Sequence, residues 1–339
     1  MTAAAQLAFG NTRVRAMKSR LLRPEDAAAL RAAAARGALY PLLQDVVGIE
    51  ADNAADLYIS LLGRLAVDYD KVVRSYRTGT DLFLALFRLH EVENLKLGWR
   101  ALVHDRPAER WLPSWRPLGR LEVLRREDWR EAGSLRQAVS LLHGTPYEQI
   151  GTAVYRAHED DPSAAELAFD RWASSCLLQA AQALPAAEQT ARDLVLQLLR
   201  ERDFEILIRG VRSYALPLEL AVSGAVLLPA EIKHAELELI AGWTPAAGPL
   251  GALLPPRLLR DCTGVADPAA VRLALRTARR QGCRRAFMEQ PFQLAPAVAF
   301  LLLREEEVRG LTALAEAEAN TAVDDLLAQV LAGSMMGSS

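Results

Sequence analysis

Apolar side chains recur along this chain at intervals of three and four, the spacing of one face of a helix. Val92, Leu95, Trp99 and Leu102 stand at i, i+3, i+7 and i+10 and predict one buried stripe on a helix over 80–102. Phe204, Ile208 and Val211 do the same on a helix over 190–214, and Val308, Leu311 and Ala315 on a helix over 297–320. Further helices are predicted over 17–43, 51–73, 125–143, 166–183, 231–240 and 268–281. Pro24 opens the first of these segments with Glu25 and Asp26 behind it, residues that suit the positive end of a helix. No stretch of any length alternates with period two, so the predicted fold class is all-α. Prolines and glycines punctuate the pattern. Residues 104–119, with Pro107, Pro113, Pro117 and Gly119, read as a linker. Gly144-Thr145-Pro146 reads as a stop, and Pro217 and Gly224 as a boundary. Residues 242–256 read as a Gly/Pro-rich loop and 333–339 as a frayed tail.

The pattern also repeats at long range. Leu22-Arg23-Pro24-Glu25-Asp26 returns as Leu124-Arg125-Arg126-Glu127-Asp128 and again as Leu228-Pro229-Ala230-Glu231-Ile232, in steps of 102 and 104 residues. Glu91-Val92-Glu93-Asn94-Leu95 returns as Arg200-Glu201-Arg202-Asp203-Phe204 and Glu307-Val308-Arg309-Gly310-Leu311, with steps of 109 and 107 between Asn94, Asp203 and Gly310. Two landmarks on one period predict three copies of a helical unit, over 1–118, 119–224 and 225–339. Each copy is long enough to hold a small core, and the period exceeds that of the common helical arrays.

Composition agrees with a globular chain: 339 residues, 51% hydrophobic, 24% charged and only 6% aromatic. Lysine occurs only at 18, 71, 96 and 233, so almost all positive charge is arginine, which suits bidentate pairing with carboxylates. A net charge of −2 gives no reason to expect nucleic acid as a partner. Cys176, Cys262 and Cys283 have neither metal nor redox spacing, which fits a reducing cytoplasm. Lysine and arginine at 13–20 follow only a short apolar stretch, unlike a secretory leader. The uncharged runs 239–256 and 290–303 are short and broken by proline, so no direct membrane insertion is expected.

Candidate chemistry is sparse. His90-Glu91 opens like a zinc-protease helix, but Asn94 stands where the second histidine belongs. There is no phosphate-binding glycine loop, and His104, His143, His158 and His234 are isolated. Neither a catalytic residue, a cofactor nor a metal site is predicted. Glu305-Glu306-Glu307 reads as a solvated helix face. Glu91, Asn94, Arg100, Asp203, Arg209 and Glu307 recur with the repeat and read as architectural, with Asn94 and Asp203 making a polar contact to a neighbouring helix end. Arg276, Arg279, Arg280, Arg284 and Arg285 are offered as a docking face for an acidic partner, against the plainer reading of an exposed helix with its own ion pairs.

Several of these residues resemble a known family. Asn11 through Leu22 resembles the opening of the C-type stalk protein of the bacterial and archaeal V/A-type ATPase (ATP synthase), whose eukaryotic V-ATPase counterpart is the d-type stalk protein. Glu91 through Lys96 with Arg100 is similar to the family's acidic-x-x-Asn-Leu helix. Gly144-Thr145-Pro146-Tyr147 is similar to its Thr-Pro-Tyr turn, Glu166 through Arg171 to its Glu-x-x-x-Asp-Arg helix, and Arg304 through Leu311 with Ala315-Glu316 to its closing helix. Asp203 and Gly310 depart from the expected asparagines. The resemblance implies three helical units in a pseudo-threefold, funnel-like arrangement and a non-catalytic part of the central stalk. Its partners would be the central shaft subunits and the membrane rotor ring of a proton or sodium motor, on the cytoplasmic face. The alternatives are a helical adaptor unrelated to the ATPase, or a helical hydrolase using Glu91 or the 305–307 carboxylates.

Overall fold

The computed structural model describes residues 3–231, 233–244, 267–288 and 292–319. Its helices are α1 (Ala3–Lys18), α2 (Pro24–Ala34), α3 (Leu39–Val47), α4 (Ala54–Ser75), α5 (Thr80–Val103), α6 (Ala108–Trp111), α7 (Arg126–Glu131) and α8 (Leu135–Leu141). They continue with α9 (Glu148–His158), α10 (Pro162–Gln182), α11 (Gln189–Ser213), α12 (Leu218–Ser223), α13 (Leu228–Glu231), α14 (His234–Ala241), α15 (Pro268–Ala286) and α16 (Ala295–Ala319). The described residues contain no strand, and the fold is all-α.

The chain forms two compact units. The first draws on Met1–Thr80, Ala186–Leu194 and Thr277–Ser339, the second on Asp81–Pro185 and Val195–Arg276. In the first unit α16 lies along α4, and α1 packs on both. Leu57, Leu61, Leu65, Tyr69 and Val72 form the buried stripe of α4, and Val308, Leu311, Leu314 and Ala315 that of α16. The start of α16 is different: every residue from Ala295 to Leu302 is buried. A helix apolar all round must be enclosed on all sides, which makes this segment the centre of the unit's core. Buried Asn11 ties α1 into the same core. Its Oδ1 accepts from the Tyr76 hydroxyl at 2.7 Å and its Nδ2 donates to the Gln293 carbonyl at 2.9 Å.

In the second unit α10 packs on α9 and α12, and Trp99 of α5 meets Phe169 of α10 edge-on at 5.2 Å. Trp111, Trp115 and Trp129 form a chain of tilted rings at 6.0 Å spacings. Gly98 makes room for this chain: a Cβ there would lie 2.6 Å from Cζ3 of Trp129. A second cluster in this unit gathers Phe204, Leu207, Ala221, Leu228, Leu237, Ile240, Trp243 and Val271.

The predicted segments differ from the helices in instructive places. The segment 17–43 is three helices, not one. Pro24 sits at the first position of α2, and Gly37 takes a left-handed φ of 68° before α3. The segment 125–143 splits at Gly133, after which the Ser134 side chain caps α8 by accepting from the Gln137 N–H. Helix α9 was not predicted. Residues 104–119 are packed, with Trp111, Leu112, Trp115 and Leu118 buried, so they form part of the second unit's core and not a loose tether. The tail 333–339, Cys262 and most of the 242–256 loop lie outside the described residues.

Candidate functional site

The two repeated landmarks meet in space. Glu91 on α5 is buried, and its Oε1 accepts from the backbone N–H groups of Val123 and Leu124 at 2.5 and 2.8 Å. Its Oε2 accepts from the Tyr147 hydroxyl at 2.5 Å. Asp203 on α11 is fully buried and takes the N–H groups of Val226, Leu227 and Leu228, the last two at 2.5 and 3.0 Å on Oδ2. Glu307 on α16 accepts from the Leu22 N–H at 2.7 Å. Three long helices thus place a carboxylate on the backbone just where a shorter helix begins, at α7, α13 and α2. Asp203 takes the first helical N–H of α13, that of Leu228, whereas Glu91 and Glu307 take N–H groups just ahead of the N-caps Arg125 and Arg23; the helix end is positive in each case, so a buried carboxylate is a fitting acceptor.

The carboxylate does not keep one sequence position. Glu91 and Glu307 are aligned, but Arg200 stands at that place in α11. The acid appears three residues later, at Asp203, on the same helix face. Arg200 instead pairs with Glu231 at 2.8 Å. Asn94, aligned with Asp203, grips the backbone of Arg116: Oδ1 accepts its N–H at 2.8 Å and Nδ2 donates to its carbonyl at 3.0 Å. Burial raises the Asp203 pKa from its ordinary value, against the lowering pull of its three backbone donors. Burial likewise raises Glu307, with Arg304 and the Leu22 N–H opposing.

Ion pairs between helices form a second layer. Lys96 is buried and bonds both oxygens of Asp170 at 2.9 and 3.1 Å, with Glu93 at 2.7 Å. Burial acts to lower Lys96, but Asp170 and Glu93 outweigh it and raise its pKa. Burial acts to raise Glu93, while Lys96 and Arg116 bring it down to about 2. Arg100 pairs with Glu166 at 2.5 Å, and Arg209 stands 4.0 Å from Asp170. These four side chains, with His104 and Tyr214, help line a cavity of 270 Å³ in the second unit. The residue aligned with Lys96 is Glu205, and it joins Glu201 in holding Arg276 at 2.7 and 2.8 Å. The contact is kept with its charges reversed.

The expected docking face of arginines is divided. Arg279 is 1% exposed and bonds Glu306 at 2.5 Å, Arg280 bonds the same carboxylate at 2.8 Å, and Arg276 is engaged as above. Carboxylates on other helices pair with all three, Arg279 buried and Arg276 and Arg280 half-buried. Arg284 and Arg285, in the last turn of α15, are exposed. The run 305–307 is likewise no solvated face: Glu305 accepts from the Tyr69 hydroxyl at 2.6 Å, Glu306 holds two arginines, and Glu307 holds Leu22. Glu91 and these three carboxylates are all engaged by donors of the fold itself. Among the described residues no group of three or more histidine, cysteine or carboxylate side chains converges as a metal site, and no helix is long and apolar enough to cross a membrane.

A comparison with curated proteins gives no match. Residues 10–328 match the family described as ATP synthase (C/AC39) subunit. That match spans nearly the whole chain, and the protein therefore belongs to the C/AC39 family of V/A-type ATPase and ATP synthase proteins, which includes the eukaryotic d-type member.

Proposed function

We propose that the chain is a non-catalytic central-stalk component of a rotary V/A-type ATPase. It would join the central shaft to the membrane rotor ring, on the cytoplasmic face, and carry torque that links ATP turnover to proton or sodium flow. Family membership over residues 10–328 is the observation that carries this reading. The protein's own physics supports it. A coupler needs stiffness, and close-packed helices resist deformation. Here buried carboxylates additionally fix where one helix starts against another, at Glu91, Asp203 and Glu307. Each carboxylate that the hydrolase reading draws on is engaged by a donor of the fold: Glu91 and Glu307 by backbone N–H groups, Glu305 by the Tyr69 hydroxyl and Glu306 by Arg279 and Arg280.

We further propose that the three repeated contacts mark three units related by a pseudo-threefold axis, with boundaries near 118 and 224. Glu91 reaches forward to Leu124 and Asp203 to Leu228, while Glu307 reaches back to Leu22, the pattern expected if the third copy closes on the first.

The test is recovery of the tagged chain from its native membranes in mild detergent, with partners identified by mass. Shaft and ring subunits should co-purify. Recovery of neither, from membranes that contain the ATPase, would overturn the coupling role.

A further inference from the structure

Arg100 and Arg209 stand at the same place in two copies of the repeat, six residues after Asn94 and Asp203. Both line the 270 Å³ cavity of the second unit, among residues of α5, α10 and α11. Their side chains are 42% and 50% exposed, so both guanidinium groups stay open to solvent. Their engagement differs. Arg100 gives Nε and Nη2 to Oε1 of Glu166, at 2.6 and 2.5 Å, and its Nη1 bonds nothing. Arg209 donates no side-chain hydrogen bond among the described residues. It stands 4.0 Å from Oδ2 of Asp170, and its guanidinium lies 5.9 Å from the ring centroid of Tyr214.

The carboxylates around the cavity do not need Arg209. Lys96 donates to both oxygens of Asp170, and Arg202 lies 3.3 Å from its Oδ1. Glu93 shares Lys96 and has Arg116 at 3.8 Å. Glu166 is held by Arg100. Lys96, Arg202 and Arg100 thus match Asp170, Glu93 and Glu166 in charge, and the cation of Arg209 is left over. Unspent donors adjoin it. The Ser163 and Tyr214 hydroxyls and the His104 imidazole line the same cavity and bond no other described group.

We propose that this cavity binds a phosphate group, free or at the end of a small ester, with Arg209 and the Nη1 of Arg100 meeting its charge. A planar guanidinium fork suits phosphate oxygens. The donors come from three helices and the turn after α11, so they call for a ligand with acceptors in several directions. A phosphate offers three or more such oxygens, whereas a carboxylate offers two in one plane. The cavity falls just below the range of about 300–1,000 Å³ typical of drug-sized ligands, which suits a small ion or one terminal group. Glu166 and Asp170 do not exclude an anion, because each is bonded to a cation of its own. The proposal goes beyond the coupling role and does not require it.

The experiment titrates the purified full chain with inorganic phosphate at fixed ionic strength, read by calorimetry and by phosphorus NMR line broadening. Binding is expected at millimolar phosphate or below. Arg209→Gln should weaken it about tenfold or more, the loss expected when a hydrogen bond to a charged group is removed. Arg209 makes no side-chain hydrogen bond in the fold, so this variant should keep its circular dichroism and its Tm in phosphate-free buffer. Arg156→Gln, at an exposed arginine of the same unit outside the cavity, should bind phosphate as the parent does. Glycerol phosphate separates the sources: tighter binding than the free ion assigns an ester, weaker binding the free ion. No binding by either readout, equal binding of acetate, or an Arg209→Gln variant that binds phosphate unchanged overturns the proposal. Recovery of shaft and ring subunits is a separate measurement, so either reading can fail while the other stands.

Discussion

The Oε2 of Glu307 accepts the backbone N–H of Leu22 at 2.7 Å across 285 residues of sequence. The bond joins a helix near the end of the described chain to the entry of one near its beginning. Arg304, which holds Asp68 at 2.9 Å, also bonds Glu307 and fixes its side chain. Glu307→Ala removes the acceptor and leaves a partly buried N–H unpaired, at a cost of about 1–3 kcal/mol. Glu307→Gln keeps an acceptor and should cost less. Urea unfolding of the two variants, with hydrogen exchange at Leu22, measures the difference. Equal loss in both variants would show that the charge matters and the bond does not.

Asp203 offers a sharper separation of charge from hydrogen bonding. Its raised pKa means that the folded state binds more protons than the unfolded state between the unfolded value of about 3.9 and the folded one. Its contribution to stability therefore falls as pH rises through that window. Asp203→Asn should remove this negative component from the plot of stability against pH while leaving an acceptor for the Leu227 and Leu228 N–H groups. Asp203→Ala leaves three backbone donors unpaired and should cost at least ~2 kcal/mol. Denaturant titrations from pH 4 to 8 test both, and an unchanged slope in the Asn variant would reject the assignment.

Gly98 is predicted to reverse the usual helix preference. Alanine in a helix interior is favoured over glycine by about 1 kcal/mol. Here the added Cβ would press on the Trp129 ring, and overpacking of this kind costs about 1–3 kcal/mol. Thermal unfolding of Gly98→Ala should show a lower Tm, with a change in tryptophan emission from the disturbed Trp111–Trp115–Trp129 chain. A higher Tm would mean that the ring moves aside freely.

The reversed ion pairs predict strict helix matching. Lys96 faces Asp170, while aligned Glu205 faces Arg276. Lys96→Glu would remove the ammonium that Glu93 and Asp170 share and set a third carboxylate beside them, leaving Arg202 at Asp170 and Arg116 at Glu93 as the nearby cations. It should cost at least ~3 kcal/mol, the range for breaking a buried pair. Adding Asp170→Lys should recover part of that loss. A double-mutant cycle with no coupling between the two sites would remove the pair from any account of stability.

The long helices and the two landmarks recurring along the chain were legible because they rest on local chemistry: apolar periodicity, and acids behind a helix start. The clasp itself was half legible. Asn94, Asp203 and Gly310 align by spacing, but the carboxylate that does the work in the third copy is Glu307, one turn earlier. A helix presents i and i+3 on one face, so strict alignment of single positions loses a contact that slides by a turn. Burial of Arg279 was not legible, because its partner Glu306 lies on another helix and a charged residue reads as surface until that helix is placed. Helix α9 was missed because it is short and follows directly on the Gly144-Thr145-Pro146 break. Residues 104–119 misled through their prolines, although Trp111, Leu112 and Trp115 were the available sign of a packed segment.

Glu306 is predicted to contribute to the acid limit of the first unit. Burial acts to raise its pKa, but Arg279, Arg309 and Arg280 outweigh it and hold the carboxyl at about 2. A depressed carboxylate contributes stability that is present above its unfolded value of about 4.3 and is lost as pH falls through the folded one. The loss should develop between roughly pH 4 and pH 2 and amount to about 2–3 kcal/mol for this group. Glu306→Gln should therefore flatten the acid limb of the stability curve. It should also cost about 3–5 kcal/mol near pH 7, because the buried guanidinium of Arg279 loses its ion pair with Glu306. Replacing both partners, as Arg279→Met/Glu306→Met, removes the buried guanidinium together with its partner and should be milder than Glu306→Gln alone at pH 7. If the single Gln variant retains full neutral-pH stability, another group neutralises Arg279 and the acid limit must be sought elsewhere.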